Sequence, residues 1–285
     1  MKKVLSVLLI TAYLINGEVL IITDKRELYQ DIIKKFTSFL KGERIIISRS
    51  NISSTSDFTP SLIFTFEKKF LIDFPKNFEN VPVVLFYIEE PLIPLTLNMT
   101  GIFYTPPASV VFSFLSSIGF TNKKVIAIIP EGKSNFSYIE EAERISKNFN
   151  IFLKVLEIKP GGIPEALPEL RKCDVIWVFP NEITSIPAFI KYMIRFSLEE
   201  KKILMGYSRS LCEQGFVFSI EVNEDKYKDK VYEFVRKIGE GKNPLTIPIQ
   251  YPDNFNYYYN VRIGKLLGIN PNFSKFYKEI KYIEK

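Results

Sequence analysis

The sequence predicts an α/β protein made of two doubly wound lobes, each built on a parallel sheet. Three observations predict it. Short β-rich apolar runs alternate with longer amphipathic segments, the alternation falls into two series of similar size, and the chain is long enough for two cores. Strands of a parallel sheet are covered on both faces by their crossover helices, so they read as continuous apolar runs rather than alternating ones. At 285 residues the chain has reached the size at which a single core stops growing.

The first series opens with a strand over 19–23 and a helix over 27–40, in which Leu28, Ile32, Phe36 and Phe39 recur at helical spacing. A strand over 44–48 follows, and the Ser- and Thr-rich stretch 51–60 reads as a loop. Strand 61–66, a short helix over 68–73, strand 81–87 and an edge strand over 101–104 complete this series. The second series begins at Pro106-Pro107, because proline suits a first helical turn, and its helix runs to Ile118. Strand 124–129 leads to a helix over 138–148, whose start carries Ser137-x-x-Glu140 at capping-box spacing. Strand 152–158, helix 163–172, strand 174–179, helix 185–197 and strands 202–206 and 216–221 continue the pattern. Helix 226–240, strands 248–251 and 257–261 and a terminal helix after Pro271 end it.

At the N-terminus Lys2 and Lys3 precede an apolar run from Val4 to Ile15, closed by Asn16-Gly17. A short positive region, about a dozen apolar residues and a small residue have the form of a cleavable secretory signal peptide, with cleavage expected after Gly17. The alternative is a buried first strand. No cysteine lies at that junction, so no lipid anchor is expected, and the mature chain should be soluble in the periplasm or secreted.

Composition removes several chemistries. The chain has no histidine, which excludes a Ser-His-Asp triad, a Cys-His pair, an HExxH zinc site and a histidine proton shuttle. Its net charge is +6, yet the lysines and arginines are interleaved with 32 acidic residues rather than clustered, so no nucleic-acid partner is expected. Cys173 and Cys212 lack metal-ligand spacing and fall near opposite ends of a sheet, so both should be unpaired. Gly161-Gly162 lacks dinucleotide spacing and reads as a turn, and no Walker A sequence is present. No cofactor or metal is expected. The 25 phenylalanines and 15 tyrosines should mostly fill cores, with Tyr87, Tyr104 and Tyr207 at loop positions where a ring can stack on a flat ligand.

Ligands of doubly wound sheets sit outside the carboxyl ends of the strands. In the first lobe that rule selects Thr23, Asp24, Thr65, Glu67, Lys68, Tyr87, Glu89 and Glu90. In the second it selects Glu131, Ser134, Asn135, Asn181, Glu182, Thr184, Tyr207, Ser208 and Asn223. Glu89-Glu90 has the composition of an acid/base pair, but adjacent residues on an extended segment point to opposite sides.

Several runs carry a likeness: Gly101-Ile-Phe-Tyr-Thr-Pro-Pro-Ala, Lys123-Lys-Val-Ile-Ala-Ile-Ile, Tyr138-Ile-Glu-Glu-Ala, Ile163-Pro-Glu-Ala-Leu-Pro-Glu-Leu and Cys173-Asp-Val-Ile-Trp-Val-Phe-Pro-Asn. Lys202-Ile-Leu-Met-Gly-Tyr-Ser, Gly215-Phe-Val-Phe-Ser-Ile, Pro248-Ile-Gln-Tyr-Pro and Leu266-Leu-Gly-Ile extend it. With them the chain resembles ABC transporter substrate-binding proteins of the type 1 periplasmic binding fold, in the branch that includes aromatic amino-acid binders. The resemblance covers nearly everything after residue 100 and is looser before it. It implies two lobes joined by three crossovers that close by hinge motion around a small ligand in the cleft. The lobes it implies are 18–102 with 223–246, and 103–222 with 247–285, with hinges near Tyr104, Val222 and Ile247.

The resemblance also implies ligand contacts. The family's Gly-Thr turn, whose helix start receives a ligand carboxylate, is here Thr65-Phe66-Glu67-Lys68, where Glu67 repels a carboxylate and Lys68 attracts one. Its Pro-Asp turn becomes Pro180-Asn181-Glu182, and its serine after the next strand matches Ser208. Asn181 and Ser208 lead the expected ligand contacts, followed by Thr65, Lys68, Glu67, Asp24, Tyr87, Thr184, Tyr207 and Asn135. Helix capping is the alternative role for Asn181 and Ser208. The expected function is non-catalytic: a periplasmic solute-binding component of an ABC-type importer, binding a small organic solute, an amino acid among the candidates. Its expected partners are that solute and, transiently, an inner-membrane ABC permease, with the chain itself a monomer. A ligand sensor feeding a membrane receptor is the alternative, and an α/β enzyme using Glu89, Glu90 or Glu182 is a third reading.

Overall fold

The computed structural model describes residues 18–40, 43–48, 60–89, 91–271, 273 and 280–284. The expected signal peptide, Glu90, most of the 51–60 loop and most of the expected terminal helix lie outside the described residues. The chain divides into two compact units. One comprises residues up to Tyr87 with Leu95–Ile102 and Lys228–Gln250; the other comprises Ile88–Pro94, Phe103–Tyr227 and the chain from Tyr251.

The first unit follows the predicted alternation. Its elements are β1 (Glu18–Ile22), α1 (Gln30–Phe39), β2 (Arg44–Ser48), β3 (Leu62–Thr65), α2 (Lys68–Ile72), β4 (Val83–Ile88) and β5 (Met99–Phe103). The sheet runs β2-β1-β3-β4-β5, and β1 pairs in parallel with both β2 and β3. Val19 to Ile22 and Leu62 to Phe64 are completely buried, as an apolar run covered on both faces requires. Phe36 of α1 lies 5.1 Å from Phe64 and 5.8 Å from Phe86, so the helix is held by ring packing on β3 and β4. Burying each such ring contributes about 1.5–3 kcal/mol.

The second unit contains α3 (Ala108–Ser117), β6 (Lys124–Pro130), α4 (Ser137–Ser146), β7 (Phe152–Ile158), α5 (Ile163–Leu170), β8 (Val175–Trp177), α6 (Pro187–Glu199), β9 (Ile203–Gly206), α7 (Arg209–Gln214) and β10 (Phe218–Val222). Then α8 (Glu224–Gly239) carries the chain back to the first unit, where Phe234 meets Phe86 edge-on at 5.5 Å. The second unit ends with β11 (Phe255–Asn260), α9 (Val261–Leu266) and β12 (Ile280–Ile283), and its sheet order is β12-β11-β10-β9-β8-β6-β7. Trp177 anchors the core on one face, 5.3 Å from Phe112 and 5.0 Å from Phe179. No helix among the described residues is long and apolar enough to cross a membrane.

The structure corrects five expectations. The second sheet is not wholly parallel, because β11 runs antiparallel to β10. Val222 faces Phe255 in that pair, so the chain leaves β10 and returns into β11 at the same end of the sheet, which demands reversal. The 248–251 segment forms no strand and contributes one bridge, Gln250 to Ile102. Ser137 is the first residue of α4 and not its cap. The six-residue α7, too short to display a period, and α9 were both missed. Where a helix was expected to end the chain, residues 280–283 form β12.

Cys173 and Cys212 are free and buried, and burial pushes their thiols up to about 11 and about 12 respectively. At neutral pH both are therefore protonated and poor nucleophiles.

Gly101 marks the tightest approach in the first sheet. Its φ is 137°, and a side chain there would run into the backbone of Leu85 on β4. Gly101→Ala is expected to cost about 3 kcal/mol, since backbone must move. Urea denaturation reads this, and an unchanged midpoint would contradict the β4–β5 packing described.

Candidate functional site

In the second unit the strand ends converge on a hollow of about 370 Å3. Glu89 reaches it from just beyond β4, Tyr104 with Thr105 and Pro106 from just beyond β5, and Pro180 from beyond β8. Tyr207 and Ser208 follow β9, and Glu221 and Val222 close β10. All of these residues belong to the second unit. Each stands at the carboxyl end of its strand, where polar side chains escape the apolar layers that bury the strand itself.

The lining is fixed by bonds within the unit. Glu221 accepts the Arg209 backbone N–H at 3.1 Å and the Tyr258 hydroxyl at 2.9 Å. The Tyr104 hydroxyl donates to Glu224 at 2.6 Å, and its ring meets Tyr227 edge-on at 4.8 Å. Burial raises the Tyr104 phenol far above its ordinary value, and the Glu224 bond and the charges of Glu221 and Glu89 add to it. Burial also raises Tyr207, with Glu89 adding and a hydrogen bond with Ser185 opposing. Both phenols are therefore neutral at physiological pH. Ser208 caps α7, its hydroxyl accepting the Leu211 N–H at 3.3 Å, and it lines the hollow. Thr105 is completely buried, and its hydroxyl has no hydrogen-bond partner among the described residues.

Asn181, the leading expected contact, does not line the hollow and has a structural role. It is 1% exposed, and its amide is used up. Its Nδ2 donates to the carbonyls of Ile128 at 3.1 Å and Phe179 at 3.2 Å, while Oδ1 accepts the N–H groups of Ile183 and Thr184, both at 3.0 Å. Thr184 is likewise withdrawn: its hydroxyl donates to Phe179 O at 2.6 Å and accepts from the Asn181 N–H. Together they tie the loop after β8 to β6 and set where Pro180 stands. Asn135 is exposed in the turn before α4 and does not line the hollow.

The first-unit candidates have structural roles too. Thr65 is buried and bonds Glu67 on both its N–H and its carbonyl. Glu67 accepts the Asp24 N–H at 2.8 Å and the Thr23 hydroxyl at 3.3 Å, clamping the loop after β1 to the loop after β3. In the turn to which the resemblance assigns a ligand carboxylate, the Glu67 N–H is thus bonded to Thr65, and the Glu67 side chain is spent on the loop after β1. Lys68 starts α2, half-buried, and Asp24 is exposed on a separate hollow of about 750 Å3 that also takes in Lys25, Arg26 and Glu27. Tyr87 adopts φ 58°, rare for an aromatic residue, and packs on Tyr29 at 5.1 Å and Phe66 at 6.0 Å.

Of the residues expected at hinges, Tyr104 and Val222 line the second-unit hollow. Ile247 is buried, and its carbonyl accepts the Thr100 hydroxyl. The chain passes between units after Tyr87, Pro94, Ile102, Tyr227 and Gln250. Sequence reasoning missed Glu221 and Thr105 as lining residues. Glu221 was legible from the strand-end rule as the last residue of the expected strand 216–221, whereas nothing in the sequence marks a threonine hydroxyl as left over.

No protein-family model and no curated relative matches the sequence. Solved structures do. A conserved domain protein from Vibrio cholerae is similar with a TM-score of 0.61 at 16% identity, over 93% of this chain and 99% of that one. An ABC domain in complex with L-Trp from Streptococcus pneumonia is similar with a TM-score of 0.59 at 16% identity, over 93% and 99%. A ligand-free, open substrate binding protein with adhesive properties from Clostridium difficile reaches 0.61 at 17%, over 94% and 98%. At these identities the similarity establishes the fold, which is the type 1 periplasmic binding fold.

Because Asn181 joins β6 to the loop after β8, Asn181→Ala should lower stability by about 3 kcal/mol through lost bonds and stranded backbone groups. Chemical denaturation measures it. Full stability with a loss confined to solute affinity would return Asn181 to the ligand site.

Proposed function

We propose that this chain is the solute-binding component of an ABC-type importer, exported to the periplasm, which captures a small organic solute and releases it unchanged. The observation that carries the reading is the second-unit hollow. Its walls are neutral phenols, hydroxyls and carboxylates set on strand ends, a lining that grips polar groups of a small molecule. Its volume lies within the range of small-ligand sites. The similar structures support the reading by their contents, one holding L-Trp and another being a substrate binding protein.

Glu67 bears on the solute. A free amino acid needs its carboxylate met by N–H donors, and in the turn expected to supply them the Glu67 N–H is already bonded to the Thr65 hydroxyl and the Phe66 N–H to the Ile22 carbonyl. The proposed solute is therefore recognised through groups other than a carboxylate. Delivery is to a membrane permease by transient contact, and the protein acts as a monomer. The two phenols and Ser208 bind and orient the solute, and no group is assigned a covalent or proton-transfer step.

The reading is tested by screening solutes for a rise in melting temperature of the full chain, then titrating hits by calorimetry and recovering the solute. One solute per chain, recovered chemically intact, with radius of gyration falling on saturation, is expected. Tyr207→Phe should weaken binding roughly three- to tenfold by removing one hydrogen bond. Conversion of the solute would establish an enzyme instead, and unaltered affinity in Tyr207→Phe would remove this hollow from the site.

A further inference from the structure

We infer that the amino-terminal pole of the second sheet is a peripheral docking surface for an anionic phospholipid leaflet. The inference draws on residues at the opposite strand ends from the solute hollow, and it stands or falls apart from the solute-binding reading.

Topology defines the pole. β9, β8, β6 and β7 are consecutive neighbours in the sheet and each neighbouring pair is parallel, so their first residues share one end. At the usual strand spacing of about 4.8 Å, four such starts span about 15 Å. Lys201 and Lys202 precede β9, Arg171, Lys172 and Asp174 precede β8, Lys123 and Lys124 stand at the start of β6, and Phe152 opens β7.

Charge at this pole is unbalanced. Four carboxylates stand with the basic residues, and each already holds a basic partner. Asp174 is 3.6 Å from Lys123, Glu200 2.9 Å from Arg171 and Glu199 2.7 Å from Arg195, while Glu169 is shared by Lys154 and Lys172 at 2.5 Å each. Left over are Lys124 and Lys201, both exposed, whose ammonium groups have no hydrogen-bond or ion-pair partner among the described residues. Lys202 joins them, donating only to the Arg171 carbonyl at 2.6 Å. A helix dipole favours a cation after α6, which suits Lys201, but Lys124 begins a strand, where no such field acts.

An apolar element lies among these cations. Phe152 is 63% exposed at the start of β7, directly beside Lys124 in the strand register. The two line a shallow hollow of about 350 Å3 together with Leu153, Lys154 and Lys172, where Glu169 is the one carboxylate and is already held by two lysines. Lysine stems are apolar and only their heads are charged, so the hollow has an apolar floor within a cationic rim.

A phospholipid leaflet answers both features. Its headgroup phosphates attract unpaired ammonium groups, and its interface seats an exposed aromatic ring. Its charge is spread over a plane, matching cations spread across several strand starts rather than gathered round one point. A soluble polyanion would answer the lysines and leave Phe152 in water. The solute hollow lies at the other end of the same strands, so lipid contact at this pole leaves it open to solute.

The test is cosedimentation of the full chain with phosphatidylcholine vesicles containing about one-third phosphatidylglycerol, against vesicles of phosphatidylcholine alone. Partitioning should be roughly tenfold or more stronger on the anionic vesicles and should fall as sodium chloride is added. Lys124→Gln and Lys201→Gln should each weaken it about fivefold, with melting temperatures near that of the parent because neither ammonium group is bonded in the fold. A charge-matched pair in the first unit, Lys34→Gln with Lys76→Gln, should leave partitioning within about twofold. Phe152→Ser should weaken binding while its salt dependence stays as in the parent. Equal partitioning onto neutral and anionic vesicles, no binding to either, or equal loss in the pole and first-unit variants overturns the inference and leaves the solute-binding reading standing. Retention on immobilised polyglutamate as strong as on the anionic vesicles, with Phe152→Ser without effect, would assign the pole to an acidic polypeptide and overturn the lipid assignment.

Discussion

A parallel strand buried on both faces has nowhere to display a polar side chain except at its ends, and this constraint organises the molecule. Val19 to Ile22, Leu62 to Phe64 and Val175 to Trp177 are almost wholly excluded from solvent, so their sheets are sealed layers. The chain's chemistry is consequently concentrated in the short loops that leave the carboxyl ends. Those loops must be rigid for a site to exist there, because a side chain on a wandering loop positions nothing.

Rigidity is supplied by polar residues that look from the sequence like ligand contacts. Asn181, Thr184, Thr65 and Glu67 each spend their hydrogen-bonding capacity on backbone or neighbouring loops. The hollow itself is lined by Ser208, Tyr207 and Thr105 together with Glu89 and Glu221. The division is physical: a buried amide saturated by four partners stabilises the loop that carries it, and the strand-end side chains beyond it line the hollow.

This division also explains what was legible in the sequence. Apolar runs and helical spacing located β1 to β4 and most helices within a few residues, because burial on both faces leaves so plain a signature. The direction of β11 and the existence of the six-residue α7 were hidden, the first because strand direction is set by where a long excursion returns, the second because six residues cannot show a period. Strand-end reasoning correctly brought Tyr207, Ser208 and Glu89 to one region. It failed to separate Asn181 from them, since a capping amide and a ligand-binding amide have the same sequence context and differ only in their bonds.

The most direct measurement of the central claim is native mass spectrometry of the intact chain after it has been offered an extract of small metabolites, followed by collisional release. The account predicts a single released species of low mass, at one copy per chain, with its occupancy reduced in a Tyr207→Phe variant. A spectrum of bare polypeptide under all loading conditions, or a species released equally from parent and variant, would contradict it.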